Sequence, residues 1–364
     1  MEQRIQEHAA VLVDWSARIE AGDDVVVHVD EGAHDLAVAV AEALGERGAN
    51  LLATYGSAEM TRAYLSAHDD AFDENPDYER HLYEHADSVL VLEGARNTAE
   101  SSGVPGQRRQ AYDRARRAIR EARLDTDWIS TQHPTRAMAQ QAGMDIDAYR
   151  EFVYDATLRD WESLAEEMAQ LKGLLDAGSA IRLVGEGTDL TMSIEDRRAV
   201  NSAASVAYDS HNLPSGEVFT APTATEGEVT LDVPMTVNGR RVQNAWLAFE
   251  DGAVVDYDAD RGAAVIGEIL DTDDGARRLG ELGIGMNRGI DHITDNILFD
   301  EKMGGTVHLA LGRAYDACVP DGSGNDSAVH VDLITDLRES GRLAVDGESV
   351  LEAGRFRWED GFNG

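Results

Sequence analysis

The sequence predicts an α/β N-terminal domain, with a parallel sheet flanked by helices, followed by an α+β domain. Its 364 residues are enough for about two domains at roughly 150 residues each. In the first half, short apolar segments alternate with segments of helical spacing, which is typical of a parallel sheet. After Gly178 the chain becomes rich in strands and in turn signals such as Asp251-Gly252. We therefore expect domains at residues 1–175 and 176–364.

The elements of the first domain follow from the spacing of apolar residues. Continuous apolar runs predict buried strands at residues 25–29, 51–55 and 88–92. Helical spacing predicts helices over residues 36–44 and 108–123. Because strand–helix–strand units place successive strands parallel to each other, this order predicts a parallel sheet.

One long helix is expected to connect the two domains. Over residues 145–175, Trp161, Leu164, Met168 and Leu171 recur at steps of three and four residues, which is helical spacing.

Beyond this helix, short apolar segments predict strands of the second domain. They lie at residues 181–184, 229–233 and 242–249, and the turn signals between them predict hairpins.

The charge balance excludes several classes of partner. Asp and Glu number 69 against 32 Lys and Arg, so the formal net charge is −37. A field of this sign repels nucleic acids and anionic lipids, and we expect neither a nucleic-acid nor a membrane partner. The acidic residues are spread along the whole chain, and only Lys172 and Lys302 are lysines. This pattern resembles that of cytosolic proteins from haloarchaea.

The sequence also indicates a cytoplasmic location. No apolar run approaches the ~20 residues that span a bilayer. Residues 1–7 contain neither a basic region nor an apolar stretch, so nothing marks this segment for secretion. The single cysteine, Cys318, cannot form an internal disulfide, which agrees with a reducing compartment.

Several short catalytic motifs are missing from the sequence. It contains no phosphate-binding loop ending in Gly-Lys-Ser/Thr and no Gly-x-Ser-x-Gly elbow, so nucleotide and serine-hydrolase chemistry lose their usual support. The segment from His81 to His85 matches the His-x-x-Glu-His zinc pattern. Asp77, Glu79 and Arg80 surround it, so we interpret it as the polar face of a helix.

Two glycine-rich stretches in the second half each present a glutamate. Pro214 and Gly216 fix a turn just before Glu217, at the start of a strand. Farther along, the segment from Leu279 to Asn287 places Glu281 among three glycines, which would allow another backbone or a ligand to come close.

A third glycine-rich stretch, residues 300–332, adds imidazoles and a carboxylate. It contains His308, and its His330 and Asp332 share one face of an extended segment because side chains alternate along a strand. With the two glutamates, these residues supply two imidazoles and three carboxylates. This ligand set suits a pair of divalent ions about 3.5–4 Å apart, with one carboxylate bridging them.

Further segments, spread over nearly the whole chain, follow the pattern of one known family: residues 45–49, 128–140, 187–191 and 346–356. With the three glycine-rich stretches, they make the chain similar to the thermophilic-type aminopeptidases, the aminopeptidase T and aminopeptidase S family. The resemblance implies peptide substrates with a free N-terminus, a preference for leucine-like residues, and a homodimer. It also implies these metal ligands: Glu217, Glu281, His308, His330 and Asp332.

The resemblance implies a mechanism in which two divalent ions, of zinc, cobalt or manganese, activate a water. Glu217 is the candidate bridging ligand. Glu281 is either a terminal ligand or the base that moves the water proton. The resemblance places Tyr315 at the catalytic centre, where it would donate a hydrogen bond to the developing oxyanion. Lys302 would orient a ligating carboxylate, or it is an ordinary surface charge. The sequence leaves two alternatives: a non-peptide amidohydrolase with the same ions, and a non-catalytic metal-binding protein.

The acidic composition generates a prediction about salt. In molar salt the Debye length is only about 3 Å, so repulsion among the surface carboxylates is screened, and dilution restores it. We expect the chain to unfold at low salt and its thermal midpoint to rise with added KCl. A midpoint that does not move with salt, measured by circular dichroism, would refute this expectation.

Overall fold

The computed structural model describes residues 2–68, 72, 76–237, 239–320 and 322–362. The chain divides into two compact units: Met1–Arg159 with Ala204–Pro214, and Asp160–Ala203 with Ser215–Gly364. In the described part of the chain, the helices are all too short or too polar to cross a membrane.

A parallel sheet forms the centre of the first unit, as the sequence predicts. Its strands, in spatial order, are Asn50–Gly56, Asp24–Asp30, Ser88–Glu93, Asp127–Gln132 and Asn212–Leu213. All neighbouring pairs are parallel. The first three strands lie at the predicted positions. The last two have sequences that apolar periodicity does not reveal, since one ends in Ser130-Thr131-Gln132 and the other has only two residues.

Helices flank this sheet, which confirms the α/β class of the first domain. They are Gln3–Ala10, which continues as a π-helical segment Val11–Ser16, and then His34–Arg47, Ala58–Ala67, Asp77–Glu84, Gly106–Ala115, Arg117–Leu124, Arg136–Gln141 and Ile146–Thr157. The single helix expected over residues 108–123 is in fact two helices, which meet at Arg116 because its φ of −108° and ψ of 15° leave the helical region.

The helix expected over residues 145–175 is also two helices. The first is Ile146–Thr157, and the second, Trp161–Ala177, begins where the side chain of Asp160 accepts a hydrogen bond from the Ser163 N–H at 3.1 Å. Asp160 thus caps the N-terminus of the second helix, and apolar spacing alone does not detect such a break. The second helix packs on strands of the second unit, so the units divide earlier than residue 175.

The second unit contains a large antiparallel sheet, in agreement with the predicted α+β class. In spatial order its strands are Met235–Val237, Arg240–Glu250, Thr223–Leu231, Thr188–Ser193, Ala180–Gly185, Arg342–Val345, Glu348–Glu352 and Arg355–Phe356, and Ala253–Arg261 also pairs with Arg240–Glu250. The predicted strands at residues 181–184, 229–233 and 242–249 all lie in this sheet, although the second of them ends at Leu231. Helix Ala263–Leu270 packs on the hairpin formed by Arg240–Glu250 and Ala253–Arg261.

A smaller antiparallel sheet of the second unit, called here the site sheet, carries the predicted ligands. In spatial order its strands are His330–Asp336, Thr306–Gly312, Leu279–Gly285, Glu217–Thr220 and Val200–Ser202. Every residue of Thr306–Gly312 and Leu279–Gly285 is buried. The short helix Ile297–Asp300 precedes Thr306–Gly312. These two central strands therefore form a rigid base for side chains that project from them.

Candidate metal centre

Strand pairing in the site sheet places the predicted ligands on one face. His308 pairs with Gly283, and Glu217 pairs with Gly285. Ala310 pairs with both Glu281 and Asp332, and Gly312 pairs with His330. Residues that pair directly across strands point to the same face, and so do alternate residues along a strand. The five side chains therefore project together, although they are far apart in the sequence.

Glu281 lies at the centre of this group, which we call the carboxylate–imidazole cluster: Glu217, Glu281, His308, His330 and Asp332. Its Oε1 is 3.1 Å from His308 Nε2, and its Oε2 is 3.4 Å from His330 Nε2. Glu217 Oε2 is 3.5 Å from His308 Nε2, and Asp332 Oδ1 is 3.5 Å from His330 Nε2. The cluster thus consists of two groups that share Glu281, and in each the ligand atoms lie within 4.8 Å of one another.

Both imidazoles are oriented by backbone carbonyl groups. His308 Nδ1 lies 3.0 Å from the carbonyl oxygen of Glu301, and His330 Nδ1 lies 2.8 Å from that of Arg313. A carbonyl oxygen only accepts, so each Nδ1 carries a hydrogen and donates it. Each Nε2 is then directed at the carboxylates, which is the arrangement that presents a histidine to a metal ion.

The electrostatics of the cluster favour a positive charge. Burial lowers the pKa of both imidazoles, but the neighbouring carboxylates outweigh it and raise the pKa of His308 to about 10 and that of His330 to about 11. For His308 the strongest of these effects is the hydrogen bond to Glu281, and for His330 it is the hydrogen bond to Asp332. A cluster with this affinity for protons also attracts metal cations.

Glycines make room for the cluster. A Cβ atom on Gly283 would lie 1.9 Å from His308 Nε2, so the imidazole lies directly over this glycine. A Cβ on Gly285 would lie 2.1 Å from the carbonyl oxygen of Met303. Gly283 therefore allows the imidazole ring of His308 to come close, and Gly285 allows the backbone of Met303 to come close. The sequence indicated such close approaches around Glu281.

Lys302 is buried next to the cluster. It is therefore not the surface charge that the sequence left as an alternative. Its side chain is fully buried, and its Nζ lies 3.5 Å from Glu217 Oε1 and also donates to Glu301. Burial lowers the pKa of Lys302, but Glu217 and Glu301 outweigh it and raise that pKa above its ordinary value. Lys302 therefore remains charged and holds one oxygen of Glu217.

Glu301 is the residue of this region that our sequence analysis missed. Burial raises the pKa of its carboxyl group to about 8, although the charge of Lys302 opposes this. Its backbone oxygen orients His308 while its side chain contacts Lys302. The available signal was its position next to one of only two lysines in an acidic chain.

Tyr315 lies beside the cluster and is about half exposed. Its ring centroid is 4.9 Å from that of His330, in an edge-on arrangement, and 5.6 Å from that of Phe219. Burial of its hydroxyl, followed by the charges of Glu281 and Asp332, raises the pKa of Tyr315, so the hydroxyl keeps its proton.

The other candidates of the sequence lie apart from any ligand group. His85 Nδ1 contacts the backbone oxygen of His81 at 2.8 Å, and within the described ranges neither histidine belongs to a group that could hold a metal. Cys318 is buried, and burial raises the pKa of its thiol to about 12, which keeps it unreactive.

Comparison with known proteins also indicates a metal-dependent enzyme, and the match covers nearly the whole chain. A family model described as thermophilic metalloprotease (M29) matches residues 1–356. The chain belongs to this family. Its enzyme class is therefore that of a metallo-aminopeptidase, a hydrolase. The family implies a divalent metal cofactor.

Relatives and a solved structure match at nearly full length. Aminopeptidase T of Thermus aquaticus is 28% identical, over 98% of this chain and 98% of the relative. Aminopeptidase AmpS of Bacillus subtilis is 25% identical, over 95% of this chain and 94% of the relative. The structure of wild-type AmpT from Thermus thermophilus matches with a TM-score of 0.85 and 26% identity, over 98% of this chain and 99% of that chain.

The residues present fit a divalent ion. Glu217 Oε2 is buried and has no hydrogen-bond partner among the described residues, so it has an unmet need for a cation or a donor. Two imidazole nitrogens and three carboxylates are the ligands that zinc, cobalt and manganese accept.

The contact between His308 and Gly283 generates a prediction. In Gly283→Ala the added methyl group would displace the imidazole, so we expect metal content to fall and activity to drop about 100-fold, as is typical when a catalytic group is misplaced by about 1 Å. The far-UV circular dichroism should stay native. Gly45→Ala is the control, because a Cβ there meets no atom within 4 Å. Full metal content and activity in Gly283→Ala would contradict this account of the glycine.

Proposed function

We propose that this metallo-aminopeptidase uses a dinuclear metal centre, held by the carboxylate–imidazole cluster, to remove N-terminal residues from peptides, with a preference for leucine-like residues. The single observation that carries the dinuclear proposal is the division of the cluster into two ligand groups that share Glu281. The leucine-like preference rests on the family resemblance alone. Zinc, cobalt and manganese all fit the donor set, and we propose no order among them.

The geometry favours Glu281 as the bridging ligand, in place of Glu217. The two oxygens of Glu281 face different imidazoles, at 3.1 and 3.4 Å, whereas those of Glu217 face a single imidazole, that of His308, and the ammonium group of Lys302, each at 3.5 Å. In this proposal Glu217, Glu281 and His308 would hold one ion. Glu281, His330 and Asp332 would hold the other.

When bound, the ions would polarise the scissile carbonyl group and lower the pKa of a water so that it can attack at neutral pH. The protein residues would do the rest. Lys302 is a positioning residue in this scheme, because it holds Glu217 and offsets part of the cluster's negative charge. Tyr315 keeps its proton and would donate a hydrogen bond to the developing oxyanion.

Selection of a free N-terminus rests on the family resemblance. When bound, one ion would offer a coordination position to the α-amine of the substrate, and an acyl cap on that amine would prevent the interaction. The homodimer and the cytoplasmic location stay predictions from the sequence.

Metal stoichiometry distinguishes the bridging ligand from the terminal ones. The wild-type chain should bind two ions, measured by plasma mass spectrometry after dialysis against trace zinc. Glu281→Gln should lose most of both ions and all measurable turnover while keeping a native circular dichroism spectrum. Glu217→Gln and Asp332→Asn should each retain about one ion. The exposed Glu250→Gln is the matched control and should retain two.

Two results would contradict this assignment. One is a single ion in the wild-type chain. The other is loss of both ions from Glu217→Gln together with retention of one by Glu281→Gln, which would return the bridge to Glu217.

Substrates with and without a free amine separate the proposed activity from its alternatives. We expect hydrolysis of leucine p-nitroanilide and a rate at least about 100-fold lower for its N-acetyl form, because acetylation blocks the α-amine that a bound ion would otherwise coordinate. Equal rates would indicate a non-peptide amidohydrolase. No hydrolysis of either substrate by the metal-loaded chain would indicate a non-catalytic protein.

A further inference from the structure

A cavity of about 360 Å³ lies in the first unit, over one face of the parallel sheet. Its floor includes His28 and Val91, which pair directly across neighbouring strands and so point to the same face. Residues of helices Asp77–Glu84, Gly106–Ala115 and Arg117–Leu124 form its walls. The volume is in the range of small-molecule sites, about 300–1,000 Å³. None of the cluster residues of the metal centre belongs to this unit.

Three arginines line this cavity, which we call the arginine cavity. Arg120 and Arg123 are three residues apart on helix Arg117–Leu124, which places them on one side of it, and Arg116 immediately precedes this helix. The guanidinium group of Arg116 lies 5.2 Å from the ring centroid of Tyr112, and that of Arg123 lies 5.6 Å from that of Trp128. Aromatic rings therefore hold two of the three guanidinium groups in place.

The local charge is opposite to that of the whole chain. Residues 106–124 contain seven arginines and two acidic residues, a net charge of +5 in a chain of −37. Arg116 pairs with Glu79. In the described part of the chain, no carboxylate lies within 4.0 Å of the guanidinium groups of Arg120 or Arg123. Two cations thus remain without an acidic partner beside the cavity, although acids outnumber bases about two to one.

The polar groups in the floor of the arginine cavity form hydrogen bonds within the protein. Tyr83 hydroxyl and His28 Nε2 are 2.7 Å apart, and His28 Nδ1 contacts the hydroxyl of Thr54. The lining also contains two carboxylates, Glu79, which pairs with Arg116, and Asp113. Because the floor groups pair with each other, the arginines are the lining groups that would recognise an anion. Guanidinium groups bind phosphate oxygens through paired hydrogen bonds, and this requires no glycine-rich loop.

We propose that the arginine cavity binds a small phosphorylated molecule, with Arg120 and Arg123 holding its phosphoryl group. Two unpaired guanidinium groups carry two positive charges, which match a phosphate of about −1.5 to −2 better than a single carboxylate. The cavity has room for a group of nucleoside size beside the phosphate.

The test is isothermal titration of the full chain, at a salt concentration where it is folded, with AMP, inorganic phosphate and acetate as separate probes. We expect AMP or phosphate to bind at least about ten-fold more tightly than acetate. The double variant Arg120→Gln/Arg123→Gln should weaken that binding about ten-fold or more. The control is Arg109→Gln/Arg114→Gln, which removes the same charge from exposed positions of the same helical region and should change the affinity less than about two-fold.

Each outcome decides the proposal. Tighter binding of AMP than of phosphate identifies a nucleotide-like ligand, and equal affinity identifies the phosphoryl group alone. The proposal is overturned if no phosphorylated probe binds at millimolar concentration, if acetate binds as tightly, or if the control variant loses as much affinity as the cavity variant. A native circular dichroism spectrum of both variants excludes misfolding as the cause.

Discussion

Three carboxylates in a largely buried position impose the main constraint on this protein. Glu217, Glu281 and Asp332 lie close to two imidazoles, and buried charges are costly by several kcal/mol each unless opposite charges compensate them. Lys302 supplies one fully buried positive charge beside Glu217. The negative charge that Lys302 leaves uncompensated explains both the raised pKa values of the two histidines and the fit of the cluster to divalent ions. It also explains why one of only two lysines in the chain lies here.

The site sheet meets this constraint through its order of strands. The strand Leu279–Gly285 lies between Glu217–Thr220 and Thr306–Gly312, so its Glu281 is near residues of the cluster from both sides. Gly283 on the same strand leaves space for the imidazole of His308. Glu281 and His308 lie on the two central, buried strands and have little freedom to move, and such rigidity suits a centre whose chemistry depends on position.

The amino-acid sequence predicted the elements, and which residues lie together in the cluster, better than their arrangement. Apolar runs found three strands of the parallel sheet, but they missed the strand Asp127–Gln132, because its polar residues hide the pattern. Glycine-bordered motifs found the five residues of the cluster. They did not reveal that Glu281 is central, because that depends on which strands are neighbours, and strand order is a tertiary property. Glu301 was missed for a related reason. Its effect on His308 acts through its backbone oxygen, and a pattern of side chains does not reveal a backbone contact.

Anomalous X-ray diffraction from crystals of the zinc-loaded protein would show whether two cations share Glu281. Data at the zinc absorption edge should show two peaks about 3.5–4 Å apart, the separation typical of two-metal sites. One peak should lie among Glu217, Glu281 and His308, and the other among Glu281, His330 and Asp332. A single peak, or two peaks that do not both contact Glu281, would contradict the account.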